Sequence, residues 1–323
     1  MAHRIKTVFL GSPAVAIASL RVLAGHAGID LTGVVTQPDL PAGRRRRLRA
    51  CPVKEAAQAL GLPVFTPARI GGPEAMAQLR DWEIELAVVC AYGQIFPERV
   101  LALPALGCFN LHFSLLPRWR GASPVQAAIL AGDVETGVSL QKMARELDAG
   151  DIVAASAPRP IRPEDTAETL GAALAEDAAR LLDGAVPLLT GGQPPLAPQD
   201  TSRATFCRRI RKSDGAADFL AESAEEIQRK CRAYTPWPAC HAFLGGKRLV
   251  LLEVRVEALE KLNWEDGKRP PPGVVAGGGL VAAREGVLRL LRVKPEGKKA
   301  MAWKDFQHGN PGAVGAALLA RPP

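Results

Sequence analysis

No two of the six cysteines, at positions 51, 90, 108, 207, 231 and 240, are spaced C-x-x-C, and none groups with several of the five histidines. A disulfide framework and a structural zinc site are therefore not expected. Buried or half-buried thiols in a reducing compartment are. Cys240 and His241 are adjacent, but strand neighbours point to opposite faces, which disfavours chelation by that pair. Apolar runs long enough to span a bilayer are missing. The opening MAHRIKTVFLGSP passes at once into a strand-like run and a turn, leaving no room for a signal or transit peptide, so a cytoplasmic protein is expected. The turn after the first strand lacks G-x-G-x-x-G, so a dinucleotide site is not supported. Internal repeats are absent.

What is present is a 323-residue chain, 47% hydrophobic and 23% charged, which is the profile of a globular protein and long enough for two domains. Its net charge of +8 is uneven: residues 1–200 carry 19 basic and 20 acidic side chains, so residues 201–323 carry +9. A basic half suits a polyanionic partner, with nucleic acid the usual one.

The N-terminal pattern alternates strands and helices. RIKTVFL (4–10) is β-rich, and Pro13 suits the first position of a helix whose apolar stripe is Ile17, Leu20 and Leu23. LTGVVTQ (31–37) is the next strand; CPVKEAAQALGL and EAMAQLR are helical, with the short strand PVF between them. ELAVVCAYG (85–93), GCFNLH (107–112) and TGVSLQKM (136–143) complete the strands. Near-continuous apolar strands alternating with helices predict a doubly wound parallel sheet, with ligands beyond the C-terminal strand ends. Gly11, Tyr92-Gly93 and Asn110–His112 all fall at such ends.

Residues 164–189 read as a long helix and the Pro- and Gly-rich 190–206 as a linker. After it, Ser223 and Glu226 form a capping box opening a helix that Pro236-Trp237-Pro238 stops. Short strands split by glycines then predict a small β-barrel. The expected organisation is a catalytic domain over 1–189, a linker over 190–206 and a barrel domain over 207–323.

Among the histidines only His112 sits among site-like residues. Asn110 lies two positions earlier, so both side chains leave one face of a strand. An amide donor beside an imidazolium is what a developing oxyanion needs. A carboxylate would complete the set, because a nearby negative charge favours protonated His and a carboxylate can accept a proton from a nucleophile. Asp148, in ELDAGDIV (146–153), is the best candidate and Asp151 the rival; Gly150 lets the backbone turn there. RRRRLR (44–49) follows a loop marked by PDLPAG and can meet a phosphate backbone. RRIRK (208–212) and KPEGKKAM (294–301) add further basic clusters. Three clusters suit a large polyanion better than a small phosphate ester.

With these residues assembled, the sequence resembles the methionyl-tRNA formyltransferase family over about residues 4–310. FLGSP, TQPDLPAGRRRRL, VVCAYGQIFP, NLHFSLLPRWRGASP, LDAGDIV, RAYTPWPAC and PEGKKAM carry the resemblance, in that order. It implies a Rossmann-like formyltransferase domain followed by an OB-like barrel that binds tRNA. The implied donor is 10-formyltetrahydrofolate and the implied acceptor initiator methionyl-tRNA, with no metal and a monomeric enzyme. Asn110, His112 and Asp148 would be the catalytic trio. Ser114, Leu115, Leu116 and Pro117 would line the folate site, with Tyr92 and Gly93 nearby. Arg44, Arg45, Arg46 and Arg47 would contact tRNA, with Arg208, Lys298 and Lys299 on the same partner. Phe113, Leu40 and Phe219 depart from the family pattern. The alternatives are another formyltetrahydrofolate enzyme, either a transferase with a small acceptor or a hydrolase, and a non-catalytic RNA- or folate-binding protein.

Overall fold

The computed structural model describes residues 3–42, 47–258 and 269–322. Its contacts divide the chain into two compact units, one of residues 1–124, 135–160 and 171–208, the other of residues 125–134, 161–170 and 209–323.

The first unit is built on a seven-stranded sheet: β1 (Ile5–Gly11), β2 (Ile29–Val35), β3 (Val64–Phe65), β4 (Leu86–Cys90), β5 (Gly107–His112), β6 (Ser139–Lys142) and β7 (Ile152–Ala155). Their spatial order is β7-β6-β5-β4-β1-β2-β3. Helices Ile17–Gly25, Pro52–Ala59 and Pro73–Asp81 intervene between the early strands. Every residue of β4 is buried, as a central strand covered on both faces must be. Val8, Leu10, Ile70, Leu79 and Val89 pack in one core cluster on this sheet.

Five strands are parallel, as expected from the β-α alternation. The last two depart from an all-parallel sheet: β6 runs antiparallel to β5, and β7 antiparallel to β6. For β7 the cause is connection length. Residues 143–151 between β6 and β7 are too few for the crossover that parallel neighbours require. The antiparallel pairing of β6 with β5 lays Gln141 beside Asn110 and Ser139 beside His112. The switch point falls at β1, whose neighbours β2 and β4 continue the chain to opposite sides.

The second unit contains an antiparallel sheet of β8 (His241–Leu244), β9 (Lys247–Glu257), β10 (Val275–Ala276), β11 (Leu280–Ala282), β12 (Val287–Pro295) and β13 (Leu318–Leu319), in the order β10-β11-β12-β9-β8-β13. The two ends of that order meet. The Val275 N–H donates to Ala316 O (3.0 Å), the Gly315 N–H to Val275 O (2.8 Å) and the Leu318 N–H to Gly273 O (2.8 Å). The result is a nearly closed barrel, with fewer open edges than a flat sheet of the same strands. Its interior holds Leu249, Leu251, Val281, Leu288, Val293, Trp303 and Phe219. Phe219, one of the departures noted in the sequence, is 1% exposed and fills this core.

The helix Ala224–Ala233 packs in this unit and begins with the expected capping box. The Glu226 N–H donates to Ser223 Oγ (3.1 Å), and the Ser223 N–H to the Glu226 carboxylate (2.7 Å). Among the described residues, no helix is long and apolar enough to cross a membrane.

Candidate active site

Strand β5 ends at His112. The period-two alternation of its side chains carries Asn110 and His112 to one face. The imidazole is almost wholly buried. Its Nε2 lies 2.9 Å from Trp119 O. A carbonyl only accepts, so Nε2 carries the hydrogen of that contact. Nδ1 is then the ring nitrogen turned to the rest of the site. It stands 3.7 Å from Asp148 Oδ2, an ion-pair distance longer than a hydrogen bond.

Asp148 receives donors on both oxygens. Gln141 Nε2 donates to Oδ1 at 2.9 Å, Asn110 Nδ2 more loosely to the same oxygen at 3.4 Å, and the Gly121 N–H to Oδ2 at 2.9 Å. The three side chains singled out in the sequence thus come together. Asp151, the rival carboxylate, instead uses its backbone carbonyl to accept the Lys142 N–H (2.9 Å) beside β6.

The backbone of Asp148 is left-handed, at φ 52. That conformation costs a side-chain-bearing residue about 1 kcal/mol or more, and Asp tolerates it better than most. Two residues later, a Cβ on Gly150 would sit 1.7 Å from Lys142 O, so no larger residue fits. Gly121 is constrained as tightly: its φ is 122 and an added Cβ would lie 2.0 Å from Cys207 O. These glycines let the Lys142 and Cys207 carbonyls come close to the two segments that hold the carboxylate.

The turn after β5 is held by its own polar groups. Ser114 Oγ donates to Arg118 O (2.6 Å). Ser139 Oγ donates to Ser114 O (2.8 Å) and accepts the Leu116 N–H (3.0 Å). The Leu116–Pro117 bond is cis. Leu115, Leu116 and Pro117 are half-buried. The Tyr92 side chain does not reach toward this centre: it packs in the sheet core edge-to-face with Phe96, their ring centroids 6.0 Å apart. Burial pushes its phenol pKa up. Its carbonyl accepts from Gln37 Nε2 (3.0 Å), and the adjacent Gly93 is exposed with φ 86.

Cys207 lies at the edge of the site. Its thiol donates to Trp119 O (3.3 Å) and accepts the Ser123 N–H (3.4 Å). Burial raises its pKa, opposed by the Ser123 contact and reinforced by the charge of Asp148, so it stays a thiol. Among the described residues, no group of three or more His, Cys, Asp or Glu side chains is placed to hold a metal ion.

Residues 6–186 match the formyl transferase family, and residues 209–311 match the formyl transferase C-terminal domain. A methionyl-tRNA formyltransferase of Symbiobacterium thermophilum is 43% identical over 316 residues, covering 96% of this chain and 94% of its own. The chain belongs to the methionyl-tRNA formyltransferase family. It is accordingly an enzyme of formyl transfer. In fold it is similar to HypX from Aquifex aeolicus solved in complex with tetrahydrofolic acid, with a TM-score of 0.61 and 15% identity over 95% of this chain and 48% of that one. It is likewise similar to the N-formyltransferase from Helicobacter canadensis solved with folinic acid and dTDP-3-aminofucose, with a TM-score of 0.60 and 17% identity over 88% and 98%.

In this member of the methionyl-tRNA formyltransferase family the basic residues named above are distributed unevenly through the structure. Arg44, Arg45 and Arg46 lie outside the described residues, and Arg47 enters as backbone paired with Ala42 in a short hairpin. Leu40, in the same hairpin, is 67% exposed. Arg208, Lys298 and Lys299 are exposed.

Several site residues have no counterpart in the sequence reading: Gln141, Gly121, Trp119 through its carbonyl, and Ser139. Gln141 and Ser139 could be found only from strand register, since each faces a site residue on β5 across the ladder.

Proposed function

We propose that this chain transfers the formyl group of 10-formyltetrahydrofolate to the α-amino group of methionine on initiator methionyl-tRNA. The observation that carries the reading is the convergence of Asn110, His112 and Asp148 on one strand end, in a chain 43% identical to a methionyl-tRNA formyltransferase along nearly its whole length. The likeness to a fold solved with tetrahydrofolic acid supports a folate donor.

In this mechanism the amine attacks the formyl carbon, forming a C–N bond and a tetrahedral intermediate. Asn110 Nδ2–H and a protonated His112 Nδ1 donate to its oxyanion. Nε2 is already committed to Trp119 O, so the imidazole enters the reaction with one nitrogen free and its plane fixed. Asp148 Oδ2, 3.7 Å from Nδ1, is placed to accept the proton of the attacking amine. Collapse breaks the bond to the folate nitrogen, which takes the proton as tetrahydrofolate leaves. The formyl group is already activated by its amide-like bond to the folate, so the protein supplies position and electrostatics.

Ser114 to Pro117 would line the folate site, with the Gly93 turn nearby. The first domain, residues 1–189, would carry the chemistry, and the basic barrel domain from residue 207, together with the Arg44–Arg47 segment, would hold the tRNA. We read the enzyme as cytoplasmic and monomeric.

The test is formyl transfer itself. Purified protein is mixed with 10-formyltetrahydrofolate and either initiator or elongator methionyl-tRNA, and formylmethionine is measured by mass spectrometry after mild base hydrolysis, with His112→Ala alongside. Product on initiator tRNA, lost in the variant, is the expected result. Transfer only to an amino sugar nucleotide, or release of formate without an acceptor, would overturn the reading.

A further inference from the structure

We propose that Gln199 is a positioning residue for this reaction, setting the backbone of Asp148 with the help of Arg120; the proposal rests on the formyl-transfer reading above. Gln199 lies in the Pro- and Gly-rich stretch after the long helix, where composition gives no hint of a site. Its Nε2 donates to Asp148 O at 2.9 Å and to Gly150 O at 2.7 Å. Its Oε1 accepts from Arg120 Nε at 3.0 Å and Nη2 at 2.9 Å.

The orientation of the amide is forced. A guanidinium only donates and a carbonyl only accepts, so Oε1 must face Arg120 and both amide hydrogens must face the loop. Arg120 is 3% exposed, and a guanidinium buried to that degree needs a partner. The short strand Arg120–Gly121 thus holds Asp148 in two ways. The Gly121 N–H grips its Oδ2, while Arg120 acts through Gln199 on its carbonyl.

What this bridge controls is the left-handed turn at Asp148. In that conformation, which residue type alone favours weakly, the carboxylate meets Asn110, Gln141 and Gly121. An amide spanning the carbonyls of residues 148 and 150 supplies the missing constraint from 51 positions along the chain. Gln199 hydrogen-bonds carbonyls and not the carboxylate, so its effect reaches the chemistry through Asp148.

Gln199→Glu separates positioning from mere support. It keeps the side-chain length and the Arg120 partner, but removes both donors and sets a carboxylate oxygen against two carbonyls. With 10-formyltetrahydrofolate and initiator methionyl-tRNA, kcat should fall about tenfold or more while KM for each substrate stays within about twofold. The pH dependence of kcat should change with it. In an Asp148→Ala background the same substitution should cost nothing further, because the group it positions is gone. Wild-type kcat in Gln199→Glu, or an undiminished penalty in the Asp148→Ala background, would overturn the proposal. Should Gln199→Glu fail to fold, Arg120→Lys keeps the charge and loses the two-pronged grip. A smaller fall in kcat is then expected, again abolished without Asp148, and wild-type kcat would overturn it. A wild-type enzyme that transfers no formyl group sinks the underlying reading and this one together, and is seen before any variant is compared.

Discussion

Asn110 makes one long contact, 3.4 Å, to Asp148 in the resting site. Its amide is therefore available to a stronger acceptor when one develops. Asn110→Ala should lower kcat by about a hundredfold or more with the fold intact, a result steady-state kinetics and circular dichroism would check together. Gly150 tests the same centre from the backbone side. A methyl group there meets Lys142 O at 1.7 Å, so the loop must shift. Gly150→Ala should cost about 1–3 kcal/mol of stability, read by urea unfolding, and most of the transfer activity. At this scale the sequence was partly legible. Asn110 and His112 could be paired from strand alternation alone, and Asp148 proposed from its loop. Gln141 could not, since its partnership depends on an antiparallel register that residues 136–143 do not reveal. Gln199 was hidden more deeply, because Asp148 and Gly150 bind it through backbone carbonyls 51 and 49 residues away and Arg120 lies 79 residues away.

At the scale of elements, the local signals were the reliable ones. The Ser223–Glu226 box is closed in the structure as the spacing predicts, and Ser223→Ala should remove about 1 kcal/mol from the second unit in denaturant unfolding. The strands β1, β4 and β5 likewise follow from their apolar runs. The sense of β6 and β7 does not: an apolar run carries no direction, and only for β7 does a short connection decide it. The long helix Ala167–Thr190 carries a test by pH. Asp177 on it pairs with Arg159 and Arg180, and the hydrogen bond from Arg159 is the main reason its pKa lies below the ordinary value of 3.8. The folded form thus binds this proton less readily than the unfolded chain. The contribution is present above pH 3.8 and lost as pH falls through the lower folded value. Arg159→Ala should flatten the acid limb of the stability curve, measured by thermal melts across that range.

Over the whole molecule, charge is the feature that composition exposes and fold does not explain. The first 200 residues are nearly balanced and the remainder carries +9, an arrangement that lowers the cost of meeting a phosphate backbone. Replacing Arg44 to Arg47 with Ala should weaken tRNA binding and flatten its dependence on salt, while folate affinity is unchanged. Filter binding across a salt series and a folate titration would separate the two. The seam of the barrel has a different kind of consequence. Its closing hydrogen bonds join residues 273–275 to residues 315–318, and β8 pairs with β13 across more than 70 residues. Contacts so distant along the chain form late, because loop closure has to precede any return from them. Until residues 315–319 have been made, the β8 and β10 edges of the nascent barrel lack these partners. That interval is when the barrel is most open to pairing with another chain, and when a chaperone would serve it best.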